Sequence, residues 1–260
     1  MNVKITYFDT AMALIEIGSI RILTDPVFDD AGTTYNDGVI SLEKTNARAI
    51  DPAALGRIDA VLLSHDQHSD NLDTRGRAFL AEVPQILTTP EAAARLGGAA
   101  VGLTPWQDAE ISRDGFTLRV TAAPAQHGPD GTQELTGPVT GFLIDWDGRT
   151  SRGPIYISGD TVPFAGTAEI VERAAPIGLA LMHMGHVTPA PDAGIFFSMS
   201  AREAADYAAA LNAEVMVPLH FDGWNHFSEA QLAASGVLAR SEAAKRTRWL
   251  APRESLSLEM

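Results

Sequence analysis

The chain has 260 residues, 45% of them hydrophobic and 20% charged, and no cysteine. This is the composition of a globular protein with a sizeable core, and it excludes disulfides and thiolate metal sites, so a metal would have to be held by His, Asp, Glu or Asn. The formal net charge of −14 repels phosphate backbones and anionic lipid, which argues against nucleic acid or a membrane as partner and favours a small-molecule substrate.

Residues 1–9 lack the basic region and apolar run of a signal peptide, and no apolar stretch approaches the roughly 18 residues needed to span a bilayer. A soluble, cytoplasmic protein is expected, and the absence of cysteine fits a reducing compartment. Oligomeric state is not legible. Strand-like runs occupy 3–8, 12–17 and 20–24, with Gly18-Ser19 turning the chain and Asp25-Pro26 stopping the third run. Residues 29–50 carry Gly32, Asn36, Asp37 and Gly38 with little periodicity, so a long loop is expected there. A strand at 59–64 runs into His65, and a helix is expected at 72–81.

Strands at 85–88, 101–103, 110–112, 116–122, 139–146 and 154–158 follow, with helices opened at Thr89-Pro90 and at 166–174. A strand at 178–182 precedes a helix opened by the capping box Ser200-Ala201-Arg202-Glu203. A strand at 214–218 precedes a second capping box, Ser228-Glu229-Ala230-Gln231. Without a linker, low-complexity tract or charge run, residues 1–260 read as one α/β domain.

The most informative stretch is Val61-Leu62-Leu63-Ser64-His65-Asp66-Gln67-His68-Ser69-Asp70-Asn71-Leu72-Asp73. An apolar strand here ends in imidazoles and carboxylates, groups that are costly to desolvate unless something pairs with them, and a metal ion is the usual partner. His65, His68, His127, His183, His186 and His220 all fall at or just after predicted strand ends, where open sheets gather ligands. Asp160 stands at another such end, in Ile157-Ser158-Gly159-Asp160-Thr161, where Gly159 permits a sharp turn. No Gly-x-Ser-x-Gly elbow and no phosphate-cradling glycine loop offers a different chemistry.

His65…His68-Ser69-Asp70-Asn71, His127 in Ala125-Gln126-His127-Gly128, Asp160 in Ser158-Gly159-Asp160-Thr161 and His220 in Val217-Pro218-Leu219-His220 resemble the metallo-β-lactamase superfamily. Leu23-Thr24-Asp25-Pro26-Val27-Phe28 and Phe197-Ser198-Met199-Ser200-Ala201-Arg202-Glu203-Ala204 are similar to segments of one branch of it. That branch holds the ascorbate-6-phosphate lactonase-like and N-acyl-phosphatidylethanolamine phospholipase D-like hydrolases. The resemblance implies a four-layer αββα sandwich with the site on one edge between the sheets. It implies His65, His68 and His127 as ligands of a first ion, Asp70 and His220 of a second, and Asp160 bridging both. One or two zinc ions and a metal-bound hydroxide are implied, with Asp70 as the catalytic carboxylate that orients it. The implied reaction is hydrolysis of a small ester, lactone or phosphodiester.

One departure matters. The family pattern is His-x-His-x-Asp-His, whereas this chain reads His-x-x-His-x-Asp-Asn. Either Gln67 falls on the second histidine position or His68 does. The second register is preferred, because a loop absorbs an extra residue more easily than a helix start does. Asn71 then offers only an amide oxygen, a harder and weaker ligand than imidazole, and Mn or Fe becomes an alternative to Zn.

Asp66 reads equally as an acceptor for a ligand histidine or as an exposed loop carboxylate. His183, His186, Trp224 and His226 are candidates to touch substrate, whereas Phe196, Phe197 and Met199 are assigned to the core. Two rival readings stand beside the hydrolase. One is a non-catalytic or regulatory member of the fold that binds a metabolite with one weakened metal site. The other, a redox di-iron member, lacks support from a glutamate in the cluster or an appended flavin domain.

Overall fold

The computed structural model describes residues 1–36, 41–46, 50–188 and 194–260. The chain opens with β1 (Asn2–Asp9), β2 (Met12–Ile17) and β3 (Ile20–Thr24), followed by a short hairpin of β4 (Thr34–Asn36) and β5 (Ser41–Glu43). Next come β6 (Ala60–Leu62), α1 (Thr74–Phe79), β7 (Ile86–Thr88), α2 (Pro90–Leu96), β8 (Ala100–Gly102), β9 (Asp108–Arg113) and β10 (Phe116–Pro124). After α3 (Gln133–Thr136) follow β11 (Thr140–Asp145), β12 (Ile155–Ile157), α4 (Ala165–Ala174) and β13 (Leu179–His183). The chain ends with α5 (Ala201–Ala210), β14 (Val215–Leu219), α6 (Gln231–Ala239) and β15 (Ser255–Glu259).

The strands form a seven-stranded sheet, ordered β15-β1-β2-β3-β6-β7-β8, and a six-stranded sheet, ordered β14-β13-β12-β11-β10-β9. Period-two alternation decides what each face does. Val3, Ile5 and Tyr7 of β1, Ile20 and Ile22 of β3, Ile155 and Ile157 of β12, and Leu179 and Leu181 of β13 meet in one core between the sheets. The alternate residues Tyr156, Ala180 and Met182 face outward into a second core with Ala201, Ala204, Ala205 and Ala208 of α5. On the other outer face, Leu23, Val61 and Leu63 pack with Phe79 and Leu80 at the end of α1. Helix, sheet, sheet, helix is the expected four-layer αββα sandwich. Among the described residues no helix is long and apolar enough to cross a membrane.

Strand direction places the site. β3 and β6 are parallel, as are β12, β13 and β14, and β10 runs with β12 because both are antiparallel to β11. Five of the residues singled out above therefore leave the carboxyl end of a strand: His65 after β6, His127 after β10, Asp160 after β12, His183 at the end of β13 and His220 after β14.

Three expectations need correction. The stretch 29–50 is not wholly a loop, because the β4–β5 hairpin lies in it; Asp37 and Gly38 fall outside the described residues. Strand β15 is a further difference, although Ser-Leu-Ser-Leu-Glu alternates; it forms the sheet edge beside β1, and Leu256 and Leu258 pack on the inter-sheet core. The second capping box does not form. Helix α6 starts at Gln231 with no side-chain cap, while Ser228 donates to the His186 carbonyl and Glu229 accepts from Ala201 N at 2.5 Å, serving α5 instead.

The first box does form. Glu203 N donates to Ser200 Oγ at 3.2 Å and Ser200 N to Glu203 Oε2 at 2.9 Å. Ser200→Ala should therefore cost about 1 kcal/mol, read as a lower urea midpoint at unchanged slope.

Candidate metal centre

Two clusters of ligand-type atoms lie at the shared strand edge. His65, His68 and His127 form one, and Asp70, Asp160 and His220 the other, with all ligand atoms of each within 4.8 Å of one another. All are buried except His68, which is half-buried. Asp160 Oδ2 connects them, lying 4.0 Å from His65 Nε2, 3.7 Å from His127 Nε2 and 3.3 Å from His220 Nε2.

Local backbone geometry delivers each side chain. Gly159 turns the chain after β12 with φ +61°, and a Cβ there would lie 2.6 Å from the Thr140 carbonyl oxygen, so only glycine fits. His220 itself takes φ +56°, unusual for a non-glycine residue, with its N–H donated to the Thr10 carbonyl at 2.6 Å. Ser64 N donates to Asp25 Oδ1 at 2.7 Å, which pins the exit of β6 just before His65.

The hydrogen-bond bookkeeping of the imidazole cluster shows that these residues fit a cation. His127 Nδ1 lies 2.7 Å from the Phe197 carbonyl oxygen, which only accepts, so Nδ1 carries the proton. Burial, with His68 adding to it, pushes the His127 ring down to about 4, so Nε2 presents a lone pair at neutral pH. That nitrogen is 2.9 Å from His68 Nδ1, and His65 Nε2 is 3.1 Å from the same atom. Burial also holds His65 well below the usual histidine range, against the pull of Asp160. Three ring nitrogens thus converge on one point, the His127 lone pair among them, and a bound cation would accept a lone pair from each ring.

The carboxylate cluster poses the complementary problem. His220 Nδ1 donates to the Met184 carbonyl at 3.2 Å, leaving Nε2 at 3.1 Å from Asp70 Oδ2 and 3.3 Å from Asp160 Oδ2. Burial opposes the charged ring, but Asp160 and Asp70 outweigh it and raise it to about 9. Burial likewise works against ionised Asp160, yet His220, His183 and His127 hold its carboxyl far below the usual range. Asp70 is depressed too, burial being overcome by His226 and His220. A single proton on His220 stands where a divalent cation would balance two carboxylates more fully.

Asn71 is buried against both carboxylates. With its nitrogen turned to them it donates to Asp70 Oδ1 at 3.2 Å and Asp160 Oδ2 at 3.3 Å. With its oxygen turned to them three oxygens meet with no hydrogen between, an arrangement that a cation would relieve. His68, not Gln67, reaches the imidazole cluster: Gln67 Nε2 donates to the Pro138 carbonyl at 3.3 Å.

The remaining candidates take different places. His183 is fully buried, with Nδ1 3.0 Å from Asp160 Oδ1 and Nε2 3.9 Å from Asp25 Oδ2, so it orients Asp160 rather than facing solvent. Burial pushes Asp25 up to about 6, against the effect of His183. Trp224 is buried, its indole N–H donated to Thr10 Oγ1 at 3.2 Å, which makes it a packing residue.

His186 stacks on Phe196, with ring centroids 3.4 Å apart, in the wall of a cavity of about 520 Å³. Gln126, which precedes His127, and Val162 and Phe164, two and four residues after Asp160, also line this cavity; Phe196 itself faces it and is not a core residue. Asp66 is buried, not an exposed loop carboxylate; Arg95 Nε lies 3.1 Å from each of its oxygens, tying the ligand loop to α2. Sequence reasoning missed Asp25 as part of the site, although a carboxylate ending an apolar strand is the same signal that exposed His65.

The sequence profile of the beta-lactamase superfamily domain matches residues 20–221. A UPF0173 metal-dependent hydrolase from Pyrococcus abyssi is 26% identical over 227 residues, covering 85% of this chain and 86% of the relative. Among solved structures, isothiocyanate hydrolase from Delia radicum gut bacteria superposes with a TM-score of 0.80 at 19% identity, covering 99% of this chain and all of that one. Igni18, a metallo hydrolase from Ignicoccus hospitalis, gives 0.71 at 22% identity over both whole chains. With the profile covering most of its length and the clustered strand-end histidines and aspartates in their sandwich, this chain belongs to the beta-lactamase superfamily.

Proposed function

We propose that this metal-dependent hydrolase cleaves a small ester, lactone or phosphodiester at a two-ion centre. His65, His68, His127 and Asp160 would hold one ion, and Asp70, Asn71, Asp160 and His220 the other. The single observation that carries this reading is Asp160 Oδ2, which faces nitrogens of both clusters at 3.3–4.0 Å while His183 anchors Oδ1 at 3.0 Å. When bound, the ions supply an ionised water near neutral pH and polarise the attacked oxygen.

The protein's own groups do the rest. Asp70 accepts from and orients the attacking water, and the buried surroundings keep bulk solvent from the reacting centre. The cavity lined by Gln126, Val162, Phe164 and His186 is of a size for a small molecule. An all-nitrogen first cluster suits zinc, whereas an oxygen-rich second cluster with Asn71 favours Mn or Fe. The cysteine-free chain fits work in the cytoplasm.

Elemental analysis of the native protein, combined with a screen of chromogenic lactones, esters and phosphodiesters, tests this. Two ions per chain and chelator-sensitive turnover of one class are expected. Metal-free protein with no turnover on reloading would remove the reading. A second test addresses Asn71. Asn71→His should tighten binding of the second ion by about tenfold, since imidazole replaces a neutral amide oxygen. Unchanged or weaker binding in a metal titration would place Asn71 outside the ligand set.

A further inference from the structure

His226 belongs to neither ligand cluster, yet its Nε2 lies 2.8 Å from Asp70 Oδ2, the oxygen that His220 Nε2 approaches at 3.1 Å. A carboxylate oxygen accepts, so at this distance His226 Nε2 donates the hydrogen. The side chain is 6% exposed and its Nδ1 is buried with no hydrogen-bond partner. Among the described residues Asp70 is therefore the one polar group this ring serves. Phe227 packs on it, with ring centroids 4.6 Å apart.

The loop carrying His226 is strapped down by the β4–β5 hairpin. Thr45 N donates to the Gly223 carbonyl at 2.8 Å, Asn225 N to the Glu43 carbonyl at 3.0 Å, and Glu43 N to Asn225 Oδ1 at 3.0 Å. Gly223, at φ +104°, lets the loop pass so close to β1 that a Cβ would lie 2.8 Å from Asp9 Oδ1. Between hairpin and loop, Lys44 forms a fully buried ion pair with Asp9 at 2.8 Å and stands 5.5 Å from the centre of the Trp224 ring.

We infer that His226 is a positioning residue of the metal centre, fixing the orientation of Asp70 through its Nε2–H bond, with the β4–β5 hairpin fixing His226 in turn. The inference rests on the ligand set proposed above. With Asn71 supplying a neutral amide and Asp160 shared between the two ions, Asp70 is the charged group that serves the second ion alone, and a less firmly oriented carboxylate would bind it less well. Partners of metal-ligating groups are worth about 10–100-fold in affinity when removed.

Co(II) titration of the whole protein tests this. His226→Ala should weaken the second equivalent about 10–100-fold and leave the first unchanged. His226→Gln retains an N–H donor and should recover most of the loss. Hyperfine-shifted ring resonances should report the same ligand histidines, His65, His68, His127 and His220, in wild type and His226→Gln. An unchanged second equivalent in His226→Ala would overturn the inference. So would an additional shifted ring in wild type that vanishes in His226→Gln, because His226 would then be a ligand itself. Wild type that takes up no second ion overturns the ligand set instead, and is recognised because there is then no second equivalent to weaken.

Discussion

Asp160→Ala will abolish metal-dependent turnover, by about a thousandfold or more, while the far-UV spectrum and the urea transition slope stay those of the folded protein. The size of the effect follows from position. One oxygen of this carboxylate faces three imidazole nitrogens drawn from both clusters, and the other accepts from His183. Removing it leaves no group that addresses both ions, so their separation is no longer fixed. His127→Ala is expected to be as damaging by a different route, since it opens the three-nitrogen convergence with His65 and His68.

Asp160→Asn separates charge from shape: it keeps an acceptor for His183 but forfeits the negative charge, and metal uptake should still fail. Atomic absorption on each dialysed variant, alongside turnover of whichever substrate the wild type accepts, reads both quantities. Full activity with either alanine would remove that residue from the centre.

Much of this arrangement was legible because one pattern recurs. An apolar run that ends abruptly in His or Asp appears at β6, β12 and β14, and strand direction carries each such ending to the same edge. The same pattern at Thr24-Asp25-Pro26 was passed over, since Asp-Pro is also an ordinary way to stop a strand. His183 carried the right chemistry but the wrong exposure; only packing shows that a strand-end histidine points into the protein towards Asp160.

The extra residue between His65 and His68 was resolved by three-dimensional space. The loop bulges so that Gln67 turns to Pro138 while His68 rejoins the cluster. The role of residues 41–46 could not be read locally. A lone lysine in a polar stretch gives no sign of burial until Asp9, from the first strand, is placed beside it.

That lysine gives the second large expectation. Lys44→Met will destabilise the protein by about 3–5 kcal/mol, because it leaves the Asp9 carboxylate buried without its counter-charge. The pair is wholly inside, Lys44 at 0% and Asp9 at 1% exposure, so solvent cannot take over. Asn46 Nδ2 at 2.8 Å and Thr10 Oγ1 at 3.2 Å still donate to Asp9 Oδ1, but they are neutral and touch only one oxygen. Against a total stability of about 5–15 kcal/mol, such a loss should be plain in the urea midpoint.

The double variant Asp9→Asn/Lys44→Met removes both charges and should recover most of it, since an unpaired ion costs more than an absent pair. A single-mutant loss below about 1 kcal/mol would show that the pair does not anchor the hairpin. The consequence reaches the metal centre. With Lys44 gone the hairpin keeps its backbone bonds to Gly223 and Asn225 but loses the charge that seats it on β1. His226 should then hold Asp70 less firmly, and the second ion should weaken in Lys44→Met in the same direction as in His226→Ala. A variant that is destabilised yet binds both ions like wild type would separate the strap from the site.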